Sequence, residues 1–159
     1  MNDSRHWLPA EVVNAVGHVT IAAGDLELIL ATIGAYHANG NAFDVLAKPG
    51  EPLRAARRSI ESMASPYKET FLPAVDWAAE LLMKRHTVVH AMWVNDAADQ
   101  PSESWELLHY KTRIRHPADP DTLNGLTRQL MDARNRLVRV LTDQINNRAP
   151  SSIMDGLPE

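Results

Sequence analysis

The chain is expected to be all-α, an up-and-down four-helix bundle with a short extended arm or β-hairpin between the third and fourth long helices. Three observations predict this. Three long stretches carry apolar residues that step by four and three, the marks of a helix with one buried stripe. The segments between them are rich in Pro, Gly, Asn and Asp. One late stretch, 105–114, is dense in strand formers.

The first helix starts at Pro9, whose fixed φ suits a first turn, with Glu11 favourable beside the positive helix end. Val12, Val16, Val19, Ala23, Leu26, Leu30 and Ile33 form its seam, and Asn39-Gly40-Asn41 is a strong stop. Gly17, Gly24 and Ala31 recur every seven residues on a neighbouring face, where small side chains would admit a second helix from this chain or from another copy. A connection with Pro49-Gly50 and Pro52 leads to a shorter second helix through Leu53, Ala56, Ile60 and Met63, stopped before Pro66. The third helix gathers around Phe71-Leu72-Pro73, with a seam of Val75, Ala79, Leu82, His86, Val89 and Trp93 that puts His86 on the core stripe.

Asn95 to Ser104 is a polar turn region, and 105–114 an extended arm that can pair with Met92–Asn95. Along that arm Lys111, Arg113 and Arg115 alternate on one face, as on an RNA-contacting edge or on an edge strand guarded against aggregation. Asp119 and Pro120 open the last helix, whose seam is Leu123, Leu126, Leu130, Ala133, Leu137 and Val140. Residues 1–148 are thus expected to form a single helical-bundle domain and 149–159 a flexible C-terminal tail.

Composition narrows the function classes. The 159 residues are 45% hydrophobic and 23% charged, as in an ordinary globular protein. With no cysteine, disulfides, thiolate zinc sites and cysteine nucleophiles are excluded. A net charge of −4 argues against a constitutive nucleic-acid coat but not against a local basic cleft. Arg54, Arg57 and Arg58 cluster, as do Lys84 and Arg85, although such clusters are most often solvated helix faces. The start lacks a signal-peptide layout, and no apolar run approaches a membrane span, so a cytoplasmic protein without membrane contact is expected. Trp7, Trp77, Trp93 and Trp105 can stack on bases, yet aromatic residues at helix positions more often pack in a core or interface. No glycine loop cradles a phosphate, Ser59, Ser62 and Ser65 have no histidine nearby in sequence, and no cofactor is implied.

Chemistry concentrates in Arg85-His86-Thr87-Val88-Val89-His90. Three readings compete. The residues can be structural, with Arg85 paired to Glu80, Asp76 or a carboxylate of another helix. His86 and His90, one turn apart, can begin a metal site, but Glu80 or another carboxylate has to complete it, and the adjoining Lys84 and Arg85 disfavour a second cation. No metal site is therefore expected.

The third reading is a resemblance. Arg85, His86 and His90 resemble the Arg-x(4–6)-His motif of the HEPN family of all-helical domains, where a polar residue follows the arginine and the motif lies late in a long bundle helix. Two positions depart from the commonest pattern: His86 stands where Asn is most frequent, and Ala91 where Gly often follows. The resemblance implies a homodimer in which two Arg–His motifs share a cleft, and a metal-independent endoribonuclease or RNA-binding protein with Arg85, His86 and His90 as site residues. It also allows a non-catalytic dimeric interaction module, with a protein partner or antitoxin, in which the cluster is structural. The chemistry suits the side chains, since histidine moves protons near neutral pH and arginine's planar fork holds a phosphate. A His90 in a solvent-open, two-subunit cleft favours the enzyme, and a buried, satisfied ring favours the module.

Overall fold

In the computed structural model, residues 8–63, 66–94, 105–109 and 111–148 are described. The turn region expected over 95–104 and the tail expected over 149–159 lie outside them, as do Trp7 and Ser65. Helix makes up 76% of the structure, so the class is all-α as expected: an up-and-down bundle of four long helices with a small antiparallel sheet before the last. The long helices are α1 (Ala10–Ala38), α3 (Glu51–Glu61), α4 (Tyr67–His90) and α5 (Pro120–Arg148), and α2 (Ala42–Leu46) is a single short turn.

Local chemistry explains the boundaries. Asn39 takes a left-handed conformation (φ 49°) just past α1, and the Gly40 N–H donates to the Ala35 carbonyl at 2.9 Å. This closes α1 with the bonding pattern of a glycine-type cap. Asn41 Oδ1 then accepts the Phe43 N–H at 2.9 Å and starts α2, which the sequence was expected to pass through as plain connection. Gly50, at φ 69°, precedes α3, and Pro52 sits in its first turn. Asp119 caps α5 by accepting the Thr122 N–H at 2.9 Å and the Thr122 hydroxyl at 2.6 Å. Those two bonds hold the Asp119 carboxyl below its usual range, the hydroxyl contributing most.

The extended arm is real but shorter than expected. Strands β1 (Met92–Val94), β2 (Glu106–Leu108) and β3 (Arg115–Pro117) form a three-stranded antiparallel sheet in the order β1-β2-β3. Leu107 lies opposite Trp93 on one side and His116 on the other. Between β2 and β3 the chain turns, with Arg113 at φ 57° and the His109 N–H donating to the Ile114 carbonyl at 3.0 Å. That turn corrects the alternating face expected for Lys111, Arg113 and Arg115. Lys111 and Arg113 are turn residues, and Arg115 of β3 pairs with Glu106 at 3.0 Å.

The chain divides into two compact units, one of residues 1–24 and 80–131, the other of 25–79 and 132–159. In the first, Val12, Ala15 and Val19 of α1, Leu81 and Val88 of α4, Leu107 of β2, and Leu123, Leu126 and Leu130 of α5 are buried. In the second, Leu30 and Ile33 of α1, Ala55, Ala56 and Ile60 of α3, Phe71, Val75 and Ala78 of α4, and Leu137 of α5 are buried. Each fully buried Leu, Ile or Phe contributes about 1.5–3 kcal/mol of transfer free energy.

The expected seams of α1 and α5 match these lists closely, but small-residue packing does not. A Cβ added at Gly17 or Gly24 would meet nothing within 4 Å, so among the described residues no helix crowds either. Gly34 is the glycine that matters. A Cβ there would sit 2.6 Å from Ala55 Cβ and 2.9 Å from the Ala55 carbonyl carbon, so α1 and α3 touch through their backbones. The expectation that no apolar run approaches a membrane span also needs correction. The Ala10–Tyr36 stretch of α1 is long and apolar enough to cross one, with a mean hydropathy of 1.5. The same apolar residues supply the α1 seam, where Val12, Val19, Leu26, Leu30 and Ile33 are buried within the protein.

Candidate functional site

On α4 the buried residues are Phe71, Ala74, Val75, Ala78, Leu81 and Val88. After Val75 these step 78, 81, 88, and the missing position of that four-three series is 85. The core stripe therefore runs through Arg85, which is half-buried, and not through His86, which is exposed. The expected seam through Ala79, Leu82, His86 and Val89 is one position out of phase, or about 100° on a helix of 3.6 residues per turn. The reason is legible afterwards. The true stripe holds small alanines and a charged arginine, so its apolar signal is weaker than that of the stripe beside it.

This shift rearranges the site. His86 and His90 are both exposed near the C-terminal end of α4, with ring centroids 4.4 Å apart and planes tilted by 45°. They are thus brought together, on the side of the helix facing away from the buried stripe. Arg85 is about 100° from His86 and about 140° from His90 around an ideal helix. Its stem follows the core stripe, and its Nε is shielded from solvent without a hydrogen-bond partner. Asp76, one carboxylate expected to pair with Arg85, instead pairs with Arg57. Among the described residues Arg85 forms no ion pair. A shielded N–H left unmade costs about 1–3 kcal/mol.

The metal reading finds two ligands and no third. Among the described residues no group of three His, Asp or Glu side chains converges where an ion could be held, and Glu80 does not join the histidine pair. The tryptophans are half-buried at 77, 93 and 105, as packing residues would be, and Trp105 Nε1 is enclosed without a partner.

One feature was not visible in the sequence. A cleft of about 550 Å³ opens between the end of α4, strands β2 and β3, and the first turns of α5. Lys84, Thr87 and His116 are among its polar walls, and Val88 and Leu126 among its apolar ones. His116 turns to this side because it pairs directly across from the buried Leu107, so the two share a face of the sheet. Only the register between β2 and β3 joins His116 to Lys84, and a register cannot be read from two three-residue strands. Lys84 and Val88 sit about 140° or more from the middle of the His86–His90 side of α4, so most of the cleft faces away from the histidine pair, with Thr87 about 60° from His90 at its margin. Compared with protein-family models, curated proteins and solved structures, the chain matches none.

Proposed function

We propose that the protein binds RNA and cleaves it without a metal ion, using Arg85, His86 and His90, and that two copies of the chain share the site. The observation that carries this reading is the exposed His86–His90 pair, rings 4.4 Å apart, next to an arginine whose Nε has no partner. An exposed His90 supplies the solvent-open half of the arrangement that favours an enzyme, and the cleft shared by two copies is the half proposed here.

The reaction balances within these groups. One imidazole takes the proton of a ribose 2′-hydroxyl, and the 2′-oxygen attacks the adjacent phosphorus. The P–O5′ bond breaks, and an imidazolium protonates the departing 5′-oxygen. The products are a 2′,3′-cyclic phosphate and a 5′-hydroxyl, with no water, metal or redox partner consumed. The Arg85 guanidinium stabilises the charge on the phosphoryl oxygens. Because Arg85 and His90 diverge by about 140° on one helix, Arg85 of one copy would complete the histidine pair of the other. This supports pairing of two chains.

The test is cleavage of unstructured RNA by purified protein in excess EDTA, comparing wild type with Arg85→Ala and His90→Ala. Cyclic-phosphate products, lost at least a hundredfold in either variant, are expected. Mixing the two inactive variants should restore about a quarter of the activity, because half the pairs are mixed and one of their two sites is intact. No cleavage by well-folded wild type across several RNAs would overturn the nuclease reading. Activity that survives in both variants would overturn the site.

A second reading rests on its own observation. Arg85 lies on the buried stripe of α4, which suits a non-catalytic dimeric interaction module with a structural arginine. Cleavage would then be absent, while the chain would still pair with itself or with a protein partner.

A further inference from the structure

We propose that the cleft between α4, β2–β3 and α5 binds a small amphipathic anion, a carboxylate on a short aliphatic or aromatic body. This is independent of the RNA reading, since the cleft and the histidine pair lie on different sides of α4.

Size is the first argument. About 550 Å³ falls within the range of small-molecule sites. Charge is the second. Lys84 is a wall of the cleft, and no Asp or Glu is among its lining residues. Glu80 precedes Lys84 by four residues, a spacing that favours a helical ion pair, yet the two do not pair, and among the described residues Lys84 has no carboxylate partner. Of the acids at the start of α5, Asp119 is committed to Thr122 as the helix cap, and Asp121 is exposed and not among the lining residues. Glu106 of β2 is committed to Arg115. An incoming carboxylate therefore meets an ammonium and an imidazole with no carboxylate in the wall, the hydroxyl protons of Thr87 and Thr122 being already given to the Met83 carbonyl and to Asp119.

Shape is the third. Gly125 lines the cleft from inside α5, where glycine costs about 1 kcal/mol relative to alanine. A Cβ built on it would meet nothing within 4 Å, so the space beside it is open and no contact requires the glycine. Val88 and Leu126 supply apolar wall for the body of the ligand, while Lys84 and His116 hold its charged end.

The experiment is titration of the full chain with octanoate and, separately, 1-naphthoate, followed by calorimetry and by two-dimensional NMR shifts of the α4 and α5 amides. Saturable one-to-one binding is expected, with octanol at least about tenfold weaker than octanoate. Lys84→Gln should weaken octanoate about tenfold and leave octanol unchanged. Gly125→Leu, whose Cβ meets no neighbour within 4 Å, should abolish both while leaving the circular dichroism spectrum intact. Gly125→Ala provides a milder version if the larger side chain perturbs folding. No saturable binding of either carboxylate at millimolar concentration would overturn the proposal. Equal affinity for octanol would overturn the role of charge, and binding that survives Gly125→Leu would place the ligand elsewhere.

Discussion

The α3 arginines and the cationic end of α4 look alike as sequence, and the structure treats them in opposite ways. On α3, Arg54 and Arg58 both bond Glu51, and Arg57 reaches Asp76. Glu51 consequently has its carboxyl held below the usual range, by the Arg58 hydrogen bond first and the Arg54 bond second. On α4, Lys84 and Arg85 have no ion pair among the described residues, and the rings of His86 and His90 lie 4.4 Å apart. The acid in the first turn of α3 neutralises Arg54 and Arg58, and an acid of α4 neutralises Arg57. A helix whose nearest acid, Glu80, stays apart leaves its cations for something else. A charge cluster is therefore informative about binding only once its partners are known.

The same contrast holds for backbone packing, and it gives the largest expected effect. Gly34 lies where α1 meets α3 with no room for a methyl group, whereas Gly125 borders open space. Gly34→Val should destabilise the protein by about 3 kcal/mol and lower Tm by roughly 5–10 °C, read by thermal unfolding. Gly125→Ala should instead raise stability by up to about 1 kcal/mol. Equal effects at the two positions would erase the distinction between a closed contact and an open cleft.

The second effect concerns the entry to α5. Asp119→Ala should cost about 1 kcal/mol, the usual worth of an N-cap, measured by urea unfolding at neutral pH. The sign with pH follows from the depressed carboxyl. Its stabilisation is complete above the unfolded-state value and is lost as pH falls through the lower folded-state value. The gap between wild type and Asp119→Ala should thus be constant near neutrality and shrink below about pH 4. A gap that widens on acidification would mean the carboxylate is not the capping species.

These two sites also show what the sequence can and cannot carry. Asp119-Pro120 and Asn39-Gly40 announce helix ends through bonds to residues three to five positions away, so a linear reading finds them. The seams of α1 and α5 are legible for the same reason: leucines and valines recur on one face. The α4 stripe is not, because alanines and Arg85 occupy buried positions while Leu82 and Val89 lie beside them with a stronger apolar signal. His86 was consequently expected in the core and stands in solvent. Gly34 and His116 owe their roles to contacts with Ala55 and Leu107, made across elements, and no local pattern marks either.

The smallest expected change in stability is the most useful for the proposed site. Arg85→Met keeps an unbranched stem on the buried stripe and removes the shielded Nε that has no partner. Deleting an unsatisfied donor while preserving packing is near neutral, so stability should stay the same or rise by up to about 1 kcal/mol. Arg57→Met is the control. It removes a partly exposed pair with Asp76 and should lower stability by no more than about 1 kcal/mol. Urea midpoints for both variants separate the cases. A loss above about 2 kcal/mol in Arg85→Met would mean the guanidinium is tied into the fold and is no freer than those of α3. Unchanged stability together with lost RNA cleavage would mean that Arg85 stands on the core stripe at no benefit to the fold, and that what it holds is the phosphate.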